Sequence, residues 1–164
     1  MDAIIESLSE AEGKLRTLDH MAYVTFPLIK DKRLLLKIVQ DTKEVIAKCI
    51  TSVLQYEYLC KRVALHKDSW ENMRTFTERC CPRYGITRQE TDLILKLFDF
   101  VEKHRQSPLE FMKNGKVVIV SENSRTVTLT VEMAKEFLLL AKTILKKIME
   151  NIEKNMGKNF TSEK

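Results

Sequence analysis

Apolar residues recur at intervals of three and four through most of the chain, the period that keeps one face of an α-helix apolar. Ile4, Leu8, Ala11, Leu15, Leu18 and Ala22 follow it from Ala3 to about Thr25 and predict a first helix. Pro27 disfavours helical geometry at Phe26, and Asp31 is placed to cap the next helix through its side-chain oxygen. No Gly or Pro interrupts the chain between Lys32 and His66, so a long second helix is expected over that whole stretch. Heptad columns led by Leu35, Ile38 and Val39 give it a broad core-facing stripe.

After Lys67 the pattern weakens. Trp70, Met73 and Phe76 suggest a short helix that stops before Cys81-Pro82, and Tyr84-Gly85 marks a turn. Thr87-Arg88-Gln89-Glu90 has the form of a capping box, in which the Thr and Glu side chains satisfy backbone donors reciprocally at a helix start. A further helix is predicted from there to about Arg105, on the stripe Leu93, Leu97, Phe100 and Val101. The period then changes from helical to alternating. Val117 to Val120 and Thr126 to Thr130, joined by the polar turn Glu122 to Arg125, read as a β-hairpin. Thr130 is placed to cap a last helix with the stripe Phe137, Ala141, Ile144, Leu145, Ile148 and Ile152.

These elements add up to an all-α fold in the main: a four- to five-helix bundle with a long second helix and one small β-hairpin before the last helix. With 164 residues and no repeat or linker, the chain reads as one helical-bundle domain over residues 1–156, followed by a tail over residues 157–164 expected to fray. A lone hairpin leaves an open edge, and a second helix of ~35 residues would reach about 50 Å, beyond a compact domain of this size. Both features favour association with another chain.

Charge and chemistry refine this picture only modestly. The longest uncharged apolar runs fall far short of the ~18 residues of a membrane span, and the start Met1-Asp2-Ala3-Ile4-Ile5-Glu6 is acidic where a secretory signal is basic. A cytoplasmic protein with no membrane partner is expected. Cys49, Cys60, Cys80 and Cys81 match no disulfide framework or metal-ligand spacing, and no nucleotide or hydrolase motif occurs, so neither a metal nor a cofactor is expected. A net charge of +5 suits solubility as well as it suits an anionic partner.

The basic residues nonetheless gather around the end of the second helix. Lys61, Arg62 and Lys67 lie there, while Arg79, Arg83, Tyr84 and Arg88 flank the turn that follows; together they are the candidate nucleic-acid-binding residues. Arg62 and His66, four apart, would share a helix face, where a guanidinium can hold a phosphate while an imidazole moves a proton. The pair resembles the Arg…His motif of HEPN-type ribonucleases. That family has a longer gap and a polar residue after the arginine, where Val63 stands here. The resemblance implies RNA cleavage by Arg62 and His66 at a dimer interface. In the competing reading His66 closes a column with Ile38, Val45 and Leu59 and is a core histidine.

The leading expectation is a non-enzymatic bundle that binds an unknown protein partner or a second copy of itself as a homodimer. RNA binding, with cleavage as its catalytic variant, is the alternative.

Overall fold

The computed structural model describes residues 1–107, 109–121 and 123–161, the last four by their backbone alone. Helix α1 comprises Asp2–His20, widens into a π turn at Met21–Thr25 and finishes as Phe26–Ile29. Helix α2 is Lys32–Leu59, and α3 is Ser69–Thr75 extended by a π turn at Phe76–Cys80 and a last turn Cys81–Arg83. Helix α4 covers Arg88–Arg105. Strands β1 (Leu109–Lys113), β2 (Lys116–Val120) and β3 (Thr126–Leu129) follow, and α5 (Val131–Thr161) closes the chain. The protein is a mainly helical bundle of five helices with a small antiparallel sheet before the last one.

The predicted caps are in place. Asp31 accepts the backbone N–H of Arg33 at 2.8 Å, Thr87 and Glu90 form the reciprocal capping box, and Thr130 Oγ1 accepts the N–H of Met133. Proline is where expectation and structure part. Neither Pro27 nor Pro82 ends its helix: Phe26 and Cys81 keep α-helical backbone angles, and the chain coils on. In both places a π turn immediately precedes the X-Pro pair. A proline ring clashes with the carbonyl four residues back and leaves it without its N–H partner. Widening the coil by one residue, with bonds reaching five positions back, makes room for the ring.

The four long helices alternate in direction. Lys14 pairs with Glu44 and Lys48 with Glu10, so α1 and α2 are antiparallel; Asp19 pairs with Lys142 while Ile5 and Leu8 share a groove with Ile152 and Met156, so α1 and α5 are too. Between them lies one continuous core that takes Leu8, Leu15 and Leu18 from α1, Ile46 and Val53 from α2, Leu97 from α4, and Phe137, Ile144 and Ile148 from α5.

The sheet has the order β1-β2-β3, one strand more than the expected hairpin. Its extra strand is joined to β2 through Asn114-Gly115, both with positive φ, the backbone of a tight two-residue hairpin turn. Val117, Ile119 and Leu129 point inward and are buried, and Val127 packs half-buried beside them. Glu110 fastens β1 to the helices: it pairs with His104 at the end of α4 and with Lys32 at the start of α2, and Lys32 also donates to its main-chain carbonyl. At the C-terminus α5 continues through Gly157 to Thr161, past the point where the tail was expected to fray.

Candidate functional site

Helix α2 stops at Leu59, seven residues before His66, and the way it stops builds the most elaborate polar site in the chain. Lys61 adopts a left-handed backbone, φ 57°, and folds the chain back so that the N–H of Lys61 bonds the carbonyl of Tyr58 and that of Arg62 bonds the carbonyl of Glu57. This is a Schellman ending, with lysine at the position glycine usually occupies. Helix α3 ends in the same way on Gly85, φ 68°. Folding back also turns the Arg62 side chain onto the carboxylate of Glu57, where Nε and Nη2 each donate at 2.8 Å.

Glu57 is 1% exposed, yet its carboxylate is fully partnered. Besides Arg62 it accepts Arg83 Nη1 from the last turn of α3 and, at 2.9 Å, the hydroxyl of Tyr84. Burial by itself would raise the Glu57 pKa; the hydrogen bonds from Arg62 and Tyr84 and the charges of Arg62 and Arg83 outweigh it and hold the carboxyl below its usual range. The same contacts raise Arg62 further, through its bonds to Glu57. Burial and the neighbouring Glu57 charge push the Tyr84 hydroxyl up, and burial takes the Cys80 thiol up to about 12. The Arg62 guanidinium also lies 5.8 Å from the Tyr56 ring centre. Two guanidiniums around one carboxylate leave the cluster cationic, and their side chains are 35% and 44% exposed on the side away from Glu57.

The expected site residues separate accordingly. Arg62 and Arg83 come together on Glu57, with exposed Lys61 beside them and exposed Arg79 one turn before Arg83. Tyr84 is 1% exposed and spends its hydroxyl on Glu57, so it offers no ring for stacking. Exposed Lys67 follows His66 in the loop after α2, and exposed Arg88 opens α4.

His66 corrects two readings at once. It is exposed, hence not a core histidine, and it lies beyond α2, hence does not share a helix face with Arg62. The amide of Asn72 bonds both its N–H and its carbonyl and pins the loop, and its side chain lines a shallow groove of about 320 Å³ with Ile50, Leu54, Leu65, Met73 and Phe98. Arg62 faces Glu57 instead. The geometry that motivated the ribonuclease pair is absent.

At the opposite end of the bundle lies a surface the sequence reading passed over. The π turn and last turn of α1 present Tyr23, Val24, Leu28 and Ile29 to solvent, and Leu28 and Ile29 are 82% and 60% exposed. Leu139 on α5 is 63% exposed, between Lys135 and Lys142, whose ammonium groups lie 4.6 and 5.8 Å from the Tyr23 ring centre. Strand β1 adds Leu109 and Phe111 on the outer face of the sheet, held at this end by the Lys32–Glu110 pair. Lys30 follows Ile29, Lys135 lies four residues before Leu139, Lys113 and Lys116 flank the turn after β1, and Arg125 precedes β3; none of the five makes an ion pair among the described residues. The signal in the sequence was Leu28-Ile29, apolar residues lying outside the stripe that Ala22 and Phe26 continue.

No cluster of three or more His, Cys, Asp and Glu suited to a metal ion occurs among the described residues, and no helix is long and apolar enough to cross a membrane. Comparison with family models, curated proteins and solved structures finds no match to this chain.

Proposed function

We propose that this protein is a non-enzymatic binding module that acts through protein–protein contact at the apolar end formed by the last turns of α1, the outer face of the sheet and the first half of α5. The observation that supports it is the exposure of Leu28 and Ile29, 82% and 60%, beside Leu139 and Phe111 at the same end. Large apolar side chains gathered at one place on a soluble surface mark contact sites, whereas scattered ones do not.

Charge selects the kind of partner. The rim carries Lys30, Lys113, Lys116, Arg125 and Lys135, against Glu132 and Glu136 as the nearby carboxylates without an ion pair. A second copy docked end to end would oppose one lysine rim with another, a cost that grows at low salt. An apolar surface with an acidic rim meets the same face favourably. The occupant is therefore a different protein with that chemistry, not a homodimer mate.

Sedimentation of the purified chain at tens of micromolar and low salt is expected to return a 19.2 kDa monomer. A photoreactive residue in place of Leu28 should then crosslink a partner that one in place of Ser9, on the side of α1 remote from this end, does not. Burying two such side chains contributes about 3 kcal/mol, so the Leu28→Glu/Ile29→Glu double variant should bind the purified partner on the order of 100-fold more weakly. A tight dimer at low salt, equal capture from both positions, or unchanged affinity in the double variant would each refute the reading.

A further inference from the structure

We infer that the opposite end of the bundle, where Arg62 and Arg83 are fixed on buried Glu57, binds the phosphodiester backbone of a single-stranded nucleic acid, with RNA as the probe. The inference is independent of the apolar end. It rests on the cation set Lys61, Arg62, Arg79 and Arg83 and on the way the fold holds it.

Preorganisation is the first argument. A surface arginine ordinarily gives up rotamer freedom when it grips a phosphate. Arg62 has already given it up: its main-chain N–H and two side-chain nitrogens are all bonded to Glu57. Arg83 is tied to the same carboxylate. Because each guanidinium has five donor hydrogens, these bonds leave donors on the partly exposed side of both groups. One buried carboxylate does not neutralise two guanidiniums, and no other acidic side chain makes an ion pair with either among the described residues.

Lys61 supplies a second, separate observation. Left-handed backbone is costly for a residue with a Cβ, and α3 meets the identical requirement with Gly85. At the end of α2 the chain places a lysine there, exposed and without an ion pair among the described residues, next to Arg62. Lys30 ends α1 with a left-handed backbone too, so the strain assigns no role by itself; what Lys61 adds is that exposed ammonium beside Arg62.

The spread of the cations indicates a polyanion. Arg79 in the π turn and Arg83 in the last turn of α3 are four apart, with Lys61 and Arg62 adding cations from the end of α2. Tyr84 and Tyr56 are each 1% exposed and offer no ring, whereas Tyr58, in the last turn of α2, is 53% exposed beside the cations. Backbone phosphates supply the affinity, and stacking on Tyr58 is sequence-tolerant, so base identity matters little.

The test is fluorescence anisotropy with a labelled 12-nucleotide oligouridylate and, beside it, an oligoadenylate of equal length. Four phosphate contacts to a single strand imply a log–log salt slope of about −2.8, an affinity loss of about 50-fold between 50 and 200 mM salt. Both oligomers should bind alike. Arg79→Glu and Lys61→Glu leave the Glu57 cluster intact, so they should fold normally, weaken binding at least tenfold and each flatten the slope by about 0.7. Lys113→Glu, at the other end, should bind as the parent does. Four results would overturn the inference: no binding at 100 µM protein and low salt, a salt-independent affinity, equal loss in Lys113→Glu and Arg79→Glu, or displacement by low-millimolar inorganic phosphate, which would mark a small-anion site.

Discussion

Replacing Glu57 by glutamine removes one charge and almost no volume, and it probes what the buried cluster contributes to the fold. The carboxylate accepts two hydrogen bonds from Arg62, one from Arg83 and one from Tyr84. Bonds to a charged group contribute about 1.5–3 kcal/mol each, which as a simple sum would exceed the whole stability of many domains. Three effects reduce it. Both guanidiniums are partly exposed and regain water, one amide oxygen still accepts a bond, and the cost of burying a carboxylate disappears. Against this, the new amide turns its own donors toward arginine donors. The net loss is about 3 kcal/mol, at the low end of the range for breaking a buried ion pair, and should lower the midpoint of thermal unfolding by about 10 °C.

The pH dependence gives the sharper test. The Glu57 pKa is depressed in the native state, so its contribution is complete above the ordinary glutamate pKa and is lost as pH falls through the lower native value. Urea unfolding followed by circular dichroism should show Glu57→Gln at its full deficit at pH 7, with the gap to the parent closing only below about pH 4.3. A deficit under about 0.5 kcal/mol at pH 7, the size of an ordinary surface substitution, would refute the assignment of Glu57 as the charged tie between α2 and α3. So would a gap that stays constant down to pH 3.

Lys61→Gly should stabilise the chain by about 0.5–1 kcal/mol, since relief of left-handed backbone exceeds the entropy glycine adds to the unfolded state; a destabilised variant would show that the Lys61 side chain supports the fold. The same substitution should weaken RNA binding, so stability and binding move in opposite directions. Among the cysteines, Cys60 is half-exposed while Cys49, Cys80 and Cys81 are buried, with burial taking the Cys49 thiol up to about 12. A thiol reagent at pH 8 under native conditions should modify one cysteine quickly, mapped to Cys60 by mass spectrometry; fast modification of Cys80 would contradict the packing of α3 on α2.

Much of the bundle was legible because its determinants are local. Asp31, Thr87 and Thr130 cap the helices they were expected to cap, and the stripe from Phe137 to Ile152 is buried throughout. What the sequence concealed falls into two kinds. Some endings carry the wrong residue for their geometry: α2 stops through left-handed Lys61, with no glycine to announce it, and Pro27 and Pro82 continue helices because a π turn makes room for them. Strand β1 was hidden differently, being largely exposed and thus without alternation, although Asn114-Gly115 marks its turn. The second kind is tertiary. Arg83 and Tyr84 reach Glu57 across 26 and 27 positions, a distance no periodicity encodes, so the basic residues were visible as a group while the carboxylate that organises them was not.

The antiparallel helices have a mechanical consequence. The 28 residues of α2 run without interruption from the lysine-rimmed apolar end to the cationic one, and α5 runs alongside. At about 1.5 Å per residue that is a strut of roughly 42 Å, braced along its length by a shared core and carrying no hinge. Whatever is held at one tip is kept at a set spacing from whatever is held at the other. With both proposed sites occupied, the spacing between the two partners would be set by the length of α2.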